Sequence, residues 1–193
     1  MQGNLRSVIV TMGAHIYTNE SREEHDYYAT HPSAVKELLE REHFNHNVWE
    51  CAAGGGHIST ILENYGYNVL CTDIIDRGCP HVIIQDFLTT QSNNGRDIIT
   101  NPPYKYAKEF VEHALNISPE GTKIAMLLKI QFLEGKARRK LFDEHPPKYV
   151  YVFSDRIRCS KNGEFNETIH SAMCFAGFIW VKGSKTEPII RWI

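Results

Sequence analysis

Apolar segments rich in β-branched residues alternate with amphipathic helical segments along most of the chain, and this alternation constrains the fold more than any other feature. Strands that alternate with helices form a mostly parallel α/β sheet with helices on both faces. We therefore predict a seven-stranded sheet of this class. The predicted strands are 47–52, 67–72, 81–85, 96–100, 123–128, 149–153 and 173–181. The predicted helices are 32–41, capped by Thr30, and 59–65, 105–116 and 132–142.

The length and hydrophobicity of the chain predict one domain. Its 193 residues are enough to bury a core, and we expect one domain over 1–193 with residues 1–25 as an N-terminal extension. No run of eighteen apolar residues predicts a membrane-spanning helix, and residues 1–11 lack the pattern of a signal peptide. We expect a cytoplasmic protein without a membrane partner.

Cysteine and histidine usage argues against a disulfide framework and against a metal site. The five cysteines are odd in number, and no two of them form a C-x-x-C pair. The ten histidines are scattered, and His43 and His46 have no acidic or cysteine partner at ligand spacing. We expect no metal cofactor.

Charge is distributed unevenly between the two halves of the chain. Residues 1–100 carry 6 Lys and Arg against 13 Asp and Glu, a net charge of −7, whereas residues 101–193 carry 15 against 10, a net charge of +5. A basic C-terminal half fits a partner that carries phosphates. Helix faces that are rich in solvated lysine explain the same excess equally well.

A glycine-rich turn follows the first predicted strand of the sheet. The strand ends near Glu50, and Gly54, Gly55 and Gly56 lead into the next helix, where glycine allows a tight turn and a close approach of ligand. The next strand ends at Asp73, a position where a carboxylate accepts hydrogen bonds from ribose hydroxyls. A turn-forming role is the alternative for Asp73.

The third predicted strand ends at Asp86 and Phe87, where the carboxylate can accept from an adenine amino group while the aromatic ring flanks the base. A capping role is equally compatible with Asp86. Ribose and adenine occur in both S-adenosylmethionine and NAD. The spacing Glu-x-x-x-Gly-x-Gly differs from the G-x-G-x-x-G of a pyrophosphate cradle and favours S-adenosylmethionine.

The fourth predicted strand ends in Asn101-Pro102-Pro103-Tyr104. Two adjacent prolines form a stiff extended corner that offers carbonyl acceptors and few N–H donors. The Asn101 side chain and the Pro102 carbonyl can each accept one N–H of a substrate amine, which aims the nitrogen lone pair at a methyl donor. Tyr104 can stack on a planar group. An ordinary Asn-Pro turn with a buried tyrosine is the alternative.

These residues resemble the amino-methyltransferases that modify adenine in DNA, particularly the short types of phages and prophages. Residues 101–104 fit their reaction motif D/N/S-P-P-Y/F/W, and residues 26–32 resemble the segment that closes over the methionine part of the cofactor. Residues 127–135, 152–157 and 161–163 resemble later regions of the same enzymes. The chain departs from their glycine motif at Cys51, Ala53 and Gly55.

The resemblance implies a Rossmann-like class I methyltransferase fold, S-adenosylmethionine as cofactor and adenine in DNA as substrate, flipped out of the base stack. It implies a catalytic role for Asn101, Pro102, Pro103 and Tyr104. It implies cofactor contacts at Tyr28, Thr30, Glu50, Ala52, Gly54, Gly56, Asp73, Ile74, Asp86, Phe87 and Asn101. A phage-encoded enzyme would act in the host cytoplasm.

DNA contacts are expected in the polar segment 154–171, which is predicted to be a loop. Arg156, Arg158 and Lys161 would bind phosphates, and Phe165 would flank or replace the extruded base. A surface loop without a specific role is the alternative. We expect no separate target-recognition domain, and consequently a short or relaxed sequence preference.

Other functions share parts of this pattern. The motif N-P-P-Y also occurs in enzymes that methylate a protein glutamine amide and in some RNA adenine methyltransferases. A nonenzymatic partner subunit that kept the fold is another possibility. An NAD-dependent oxidoreductase fits least, because residues 101–104 have no role in hydride transfer.

Overall fold

The computed structural model describes residues 28–155, 157, 159–161 and 174–193. These residues form one eight-stranded sheet and one two-stranded sheet. In chain order the strands are β1 (Tyr28–Thr30), β2 (Asn47–Glu50), β3 (Asn68–Asp73), β4 (Ile83–Ile84), β5 (Asp97–Thr100), β6 (Lys123–Lys129), β7 (Tyr149–Val152), β8 (Cys159–Lys161), β9 (Phe175–Val181) and β10 (Ile189–Trp192). The helices are α1 (Pro32–Leu39), α2 (His57–Asn64), α3 (Ala107–Ile117) and α4 (Arg139–Glu144).

The large sheet has the strand order β4-β3-β2-β5-β6-β9-β7-β10. Only β9 runs antiparallel to its neighbours, so the prediction of a mostly parallel α/β sheet is confirmed. The predicted number of seven strands is wrong, because Ile189–Trp192 adds an eighth along β7. This strand satisfies the backbone groups that the outer edge of β7 would otherwise leave unpaired.

Helices cover both faces of the sheet, as strand alternation requires. On one face, Val48, Ile99 and Ala125 pack with the apolar sides of α1 and α2. On the other, Trp49 and Ile98 pack with α3. Neighbouring residues of one strand thus enter different cores, which is the two-residue period of a strand that is buried on both sides.

The segment after β6 differs from its predicted continuous helix over 132–142. It forms two 3₁₀ turns, Ile130–Leu133 and Lys136–Arg138, and then the short α4. Gly135 interrupts the helix with a φ of 115°, a conformation that favours glycine. The Arg138 guanidinium then holds the turn by donating to the carbonyls of Gln131, Phe132 and Glu134.

Two further predictions about local structure are wrong. His31, and not Thr30, caps α1, because Pro32 opens the helix and the residue before it occupies the capping position. The segment 154–171 is not entirely a loop, since β8 lies within it and pairs antiparallel with β1 from Tyr28–Lys161 to Thr30–Cys159.

Within the described residues, no helix is long and apolar enough to span a membrane. The same residues hold no group of three or more His, Cys, Asp or Glu side chains arranged to bind a metal ion.

Candidate functional site

The order of the strands reverses between β2 and β5. The chain proceeds from β2 outward to β3 and β4, and then returns to place β5 on the other side of β2. Ligands of open α/β sheets bind at such a switch point, outside the carboxyl ends of the strands. Here those ends carry Glu50 and Asn101. A shallow depression lies between them and is lined by Ala29, Thr30, Glu50, Ala52, Ala53, His57, Ile58 and Asn101.

The glycine turn brings the backbone close to this depression. Gly54 and Gly56 have φ values of 54° and 79°, in the left-handed region that favours glycine. A Cβ atom on Gly56 would lie 3.0 Å from the Cys79 sulfur and 3.2 Å from the Ser59 hydroxyl. Both the conformation and the lack of space therefore require glycine at position 56.

Glu50 supplies the side-chain cap at the start of α2, because Gly56 has no side chain that could do so. Gly56 occupies the capping position without a side chain, and the Glu50 Oε2 atom accepts the Ser59 N–H at 2.8 Å instead. The Glu50 side chain is 1% exposed, and burial raises its pKa well above the usual range, although the Ser59 hydrogen bond opposes the shift. Glu50 thus joins the end of β2 to the start of α2 as well as lining the depression.

Asp73 ends β3 with its carboxylate fixed toward the glycine turn. Its Oδ2 atom accepts the Gly54 N–H at 2.8 Å, and its Oδ1 atom accepts the Ile75 N–H at 3.1 Å. A carboxylate has about four lone-pair directions, so these two bonds leave capacity for further donors. The residue is 9% exposed. The position suits a ribose acceptor, and Asp73 shapes the turn as well.

Asp86 and Phe87 are placed differently from each other. Asp86 caps the 3₁₀ turn Phe87–Thr89 by accepting the Leu88 N–H at 2.9 Å. The Phe87 ring is 1% exposed and packs against Trp49, Phe110 and His113. The core beneath the sheet encloses this ring, and its contact with an adenine stays a prediction. Ile74, after Asp73, is exposed.

The Asn101–Tyr104 segment leaves the end of β5 in an extended path and then enters the 3₁₀ turn Tyr104–Tyr106. The Asn101 Nδ2 atom donates to the Thr30 hydroxyl at 3.0 Å, so β1 touches the motif directly. Pro102 is buried, whereas Pro103 and Tyr104 are half-buried. The Tyr104 ring lies 5.8 Å from the Phe175 ring, and the Lys129 ammonium lies 4.7 Å from the Tyr104 centroid.

The remaining predicted contacts fall largely outside the described residues. Arg156, Arg158 and Phe165 are not described, and only the backbones of Tyr28 and Lys161 are described, as paired residues of β1 and β8. Sequence reasoning missed Ala29, Ala53, His57 and Ile58 in the lining of the depression, and Lys129 and Phe175 beside Tyr104. Lys129 is the last residue of β6, the strand next to β5. Its position at the end of a predicted strand is the sequence signal that could have identified it as a site residue.

The fold is similar to that of solved structures described as class I S-adenosylmethionine-dependent methyltransferases. A proposed enzyme of that class from Listeria monocytogenes superposes with a TM-score of 0.57 and 12% identity, over 82% of this chain and 62% of that one. A proposed RNA methyltransferase from Pyrococcus horikoshii gives 0.54 and 15%, over 78% and 80%. The modification subunit of a proposed type I restriction enzyme from Vibrio vulnificus YJ016 gives 0.62 and 11%, over 90% and 48%.

The sequence matches no known protein family and no curated protein. At identities of 10–15% the solved structures establish the fold alone. The chain spans less than two thirds of the Listeria protein and about half of the Vibrio subunit.

Proposed function

We propose that the protein transfers a methyl group from S-adenosylmethionine to the exocyclic amino group of adenine in DNA. The observation that carries this proposal is the position of Asn101. It directly follows β5 at the switch point of the sheet, lines the same depression as Glu50, and lies in the motif that resembles the adenine amino-methyltransferases. The shared fold with proteins named as S-adenosylmethionine-dependent methyltransferases supports it.

The residues that line and adjoin the depression fit the cofactor. The Asp73 carboxylate has acceptor capacity for ribose hydroxyls, and Gly54 and Gly56 let the backbone approach a ligand closely. Thr30, Glu50 and Ala52 line the same depression as Asn101. When bound there, S-adenosylmethionine supplies a methyl group activated by a positively charged sulfur.

The chain contributes acceptors and rigidity at the reacting nitrogen. The Asn101 carbonyl oxygen and the Pro102 backbone carbonyl each accept one N–H of the amine, which orients its lone pair. The two prolines hold these acceptors in a stiff corner, so catalysis consists of positioning and electrostatic stabilisation. No general base is required, because the nitrogen loses its proton to solvent after methylation.

Adenine in DNA is favoured among amine substrates by the surroundings of the motif. Tyr104 offers a half-buried ring for stacking, and base stacking on an aromatic side chain contributes about 1–3 kcal/mol per base. The C-terminal half of the chain is basic, which suits a phosphate-bearing polymer. Since the amine of a paired adenine lies inside the duplex, the base must be extruded to reach Asn101.

Transfer of radiolabelled methyl from the cofactor tests this function directly. The purified chain is offered duplex DNA, single-stranded DNA, RNA and a protein with exposed glutamines, each in turn, with Asn101→Ala as the inactive control. We expect label on adenine in DNA and almost none with Asn101→Ala, which should keep its fold. Label only on RNA or on glutamine would contradict the DNA substrate, and undiminished activity of Asn101→Ala would contradict the assigned reaction centre.

The segment 154–171 remains our proposed DNA contact. Neutralising Arg156, Arg158 and Lys161 together should flatten the salt dependence of DNA binding by up to about three units, at roughly 0.9 per phosphate contact. Equal slopes for the parent and the triple variant would remove this role from the segment.

A further inference from the structure

Two directly opposed residues at the end of one strand pair both contact Tyr104. Lys129 and Phe175 form the last pair of the antiparallel β6–β9 ladder. Opposed residues of such a ladder project to the same face of a sheet. The Phe175 ring lies 5.8 Å from the Tyr104 ring at an angle of 35°, and the Lys129 ammonium lies 4.7 Å from its centroid. Tyr104 is therefore in contact with an aromatic ring and a cation, both from the last residue pair of the β6–β9 ladder.

Lys129 also lies at the edge of the sheet where the reaction motif begins. β6 runs parallel to β5, with Met126 paired to Thr100, so both strands end at the same edge. The lysine therefore places a positive charge beside the ring on which we expect the substrate base to stack.

We propose that Lys129 binds a backbone phosphate of the nucleotide whose base rests against Tyr104. An extruded nucleotide carries a phosphodiester on each side of its sugar, and a lysine on a flexible four-carbon stem is a common phosphate ligand. A base that approaches the ring displaces the ammonium from it, and the ammonium then pairs with the neighbouring phosphate. This assignment rests on the proposed DNA substrate and makes Lys129 a substrate-positioning residue.

Binding to DNA at several salt concentrations separates this role from a structural one. Lys129→Gln removes the charge and Lys129→Arg retains it. Lys148→Gln is the matched control, because the Lys148 ammonium lies 5.6 Å from the Tyr149 ring in the same kind of contact, at the opposite end of the strands. DNA affinity, steady-state methyl transfer and cofactor affinity are measured for each variant.

We expect Lys129→Gln to lower the salt slope by about 0.9 on duplex DNA or about 0.7 on single-stranded DNA. It should raise KM for DNA on the order of tenfold, with a smaller change in kcat and unchanged cofactor affinity. Lys129→Arg and Lys148→Gln should keep the parental slope.

Any other result would contradict the assignment of Lys129 as a phosphate ligand, and the pattern of the measurements would show why. An unchanged slope in Lys129→Gln, with a parent that methylates DNA, refutes the phosphate contact and leaves the proposed function standing. Loss of cofactor affinity would place Lys129 at the cofactor, and a lowered melting temperature with an unchanged slope would make it structural. A parent that neither binds nor methylates DNA refutes the proposed function, and this inference with it.

Discussion

The Asn101 side chain donates from Nδ2 to the Thr30 hydroxyl at 3.0 Å, across 71 residues of sequence. Thr30 is the last residue of β1 and is 3% exposed. The bond turns the amide nitrogen toward β1 and makes the carbonyl oxygen the acceptor that a substrate amine can use. The orientation of the proposed reaction centre therefore depends on a small sheet outside the main one.

Thr30→Val removes the hydroxyl while keeping the size of the side chain. The Asn101 amide then loses its orienting bond, and a buried polar group without its partner costs about 1–3 kcal/mol. We expect kcat to fall roughly tenfold at saturating cofactor, since 1.4 kcal/mol corresponds to a factor of ten. Thr30→Ser keeps the hydroxyl and should stay close to the parent. Equal kcat values for the two variants would show that the bond does not orient Asn101.

Tyr104→Ala removes the proposed stacking surface. Because base stacking contributes about 1–3 kcal/mol, KM for DNA should rise roughly ten- to a hundredfold, and kcat should fall as the base is held less firmly. Tyr104→Phe keeps the ring and should retain most of the activity. Tyr106→Ala alters a tyrosine of the same 3₁₀ turn that is 39% exposed, and it provides the control. Similar effects of the alanine substitutions at 104 and 106 would remove the specific role of Tyr104.

The sheet and the residues at its strand ends were predictable because they depend on local pattern. The alternation of strand and helix indicated a mostly parallel sheet, and parallel strands bring their carboxyl ends to one edge. Glu50 and Asp73 end their strands and Asn101 directly follows one, so their shared location could be predicted from the fold class alone.

Features that depend on residues distant in the sequence could not be predicted. The Phe87 ring is directed into the core by Trp49 and Phe110, which the sequence around position 87 does not reveal. No helix precedes β10, so the alternation of strands and helices did not indicate this strand. It forms by pairing with β7, which would otherwise be the edge strand of the sheet. Predicting the contact between Lys129 and Tyr104 would likewise have required the strand order, because the two residues are far apart in the sequence.

Asp73→Ala should weaken both cofactor binding and the glycine turn. Loss of a charged acceptor for ribose hydroxyls costs roughly 1.5–3 kcal/mol, which is ten- to a hundredfold in affinity. The Gly54 and Ile75 N–H groups also lose their acceptor, so the melting temperature should fall as well. Asp76→Ala, on an exposed residue of the same loop, is the control for calorimetric titration with S-adenosylmethionine. Parental affinity in Asp73→Ala would exclude a cofactor contact.

Gly56→Ala tests whether the glycine turn must pack closely against its neighbours, and Gly66→Ala is the matched control. Both glycines have left-handed φ values, 79° and 86°, and an L-residue in this region costs roughly 1–2 kcal/mol. A Cβ at 56 also meets Cys79 and Ser59, whereas a Cβ at 66 meets nothing within 4 Å. We expect Gly56→Ala to lose more stability in urea unfolding, and to lose cofactor affinity that Gly66→Ala retains. Equal losses of stability in the two variants would show that Cys79 and Ser59 can move to accommodate a Cβ atom at position 56.

The buried Glu50 carboxyl makes the stability of the fold depend on pH. Burial raises its pKa well above the ordinary value of 4.5 for a glutamate, so the folded chain binds this proton more tightly than the unfolded chain. The contribution is fully present below pH 4.5, and it is lost as the pH rises from there through the pKa of the folded state. Glu50 therefore opposes folding near neutral pH, in contrast to a carboxylate that gains a cationic partner.

Glu50→Gln should raise the free energy of unfolding above that of the parent at pH 7 and 8. The amide cannot ionise, while its oxygen can still accept the Ser59 N–H that holds the start of α2. The two proteins should converge in stability as the pH falls toward 4.5, because protonation makes the parent side chain neutral as well. Urea unfolding over this range measures the difference, with Glu63→Gln on the exposed side of α2 as the control for a lost surface charge. A Glu50→Gln variant that is less stable than the parent at pH 8 would mean that the ionised carboxylate stabilises the turn.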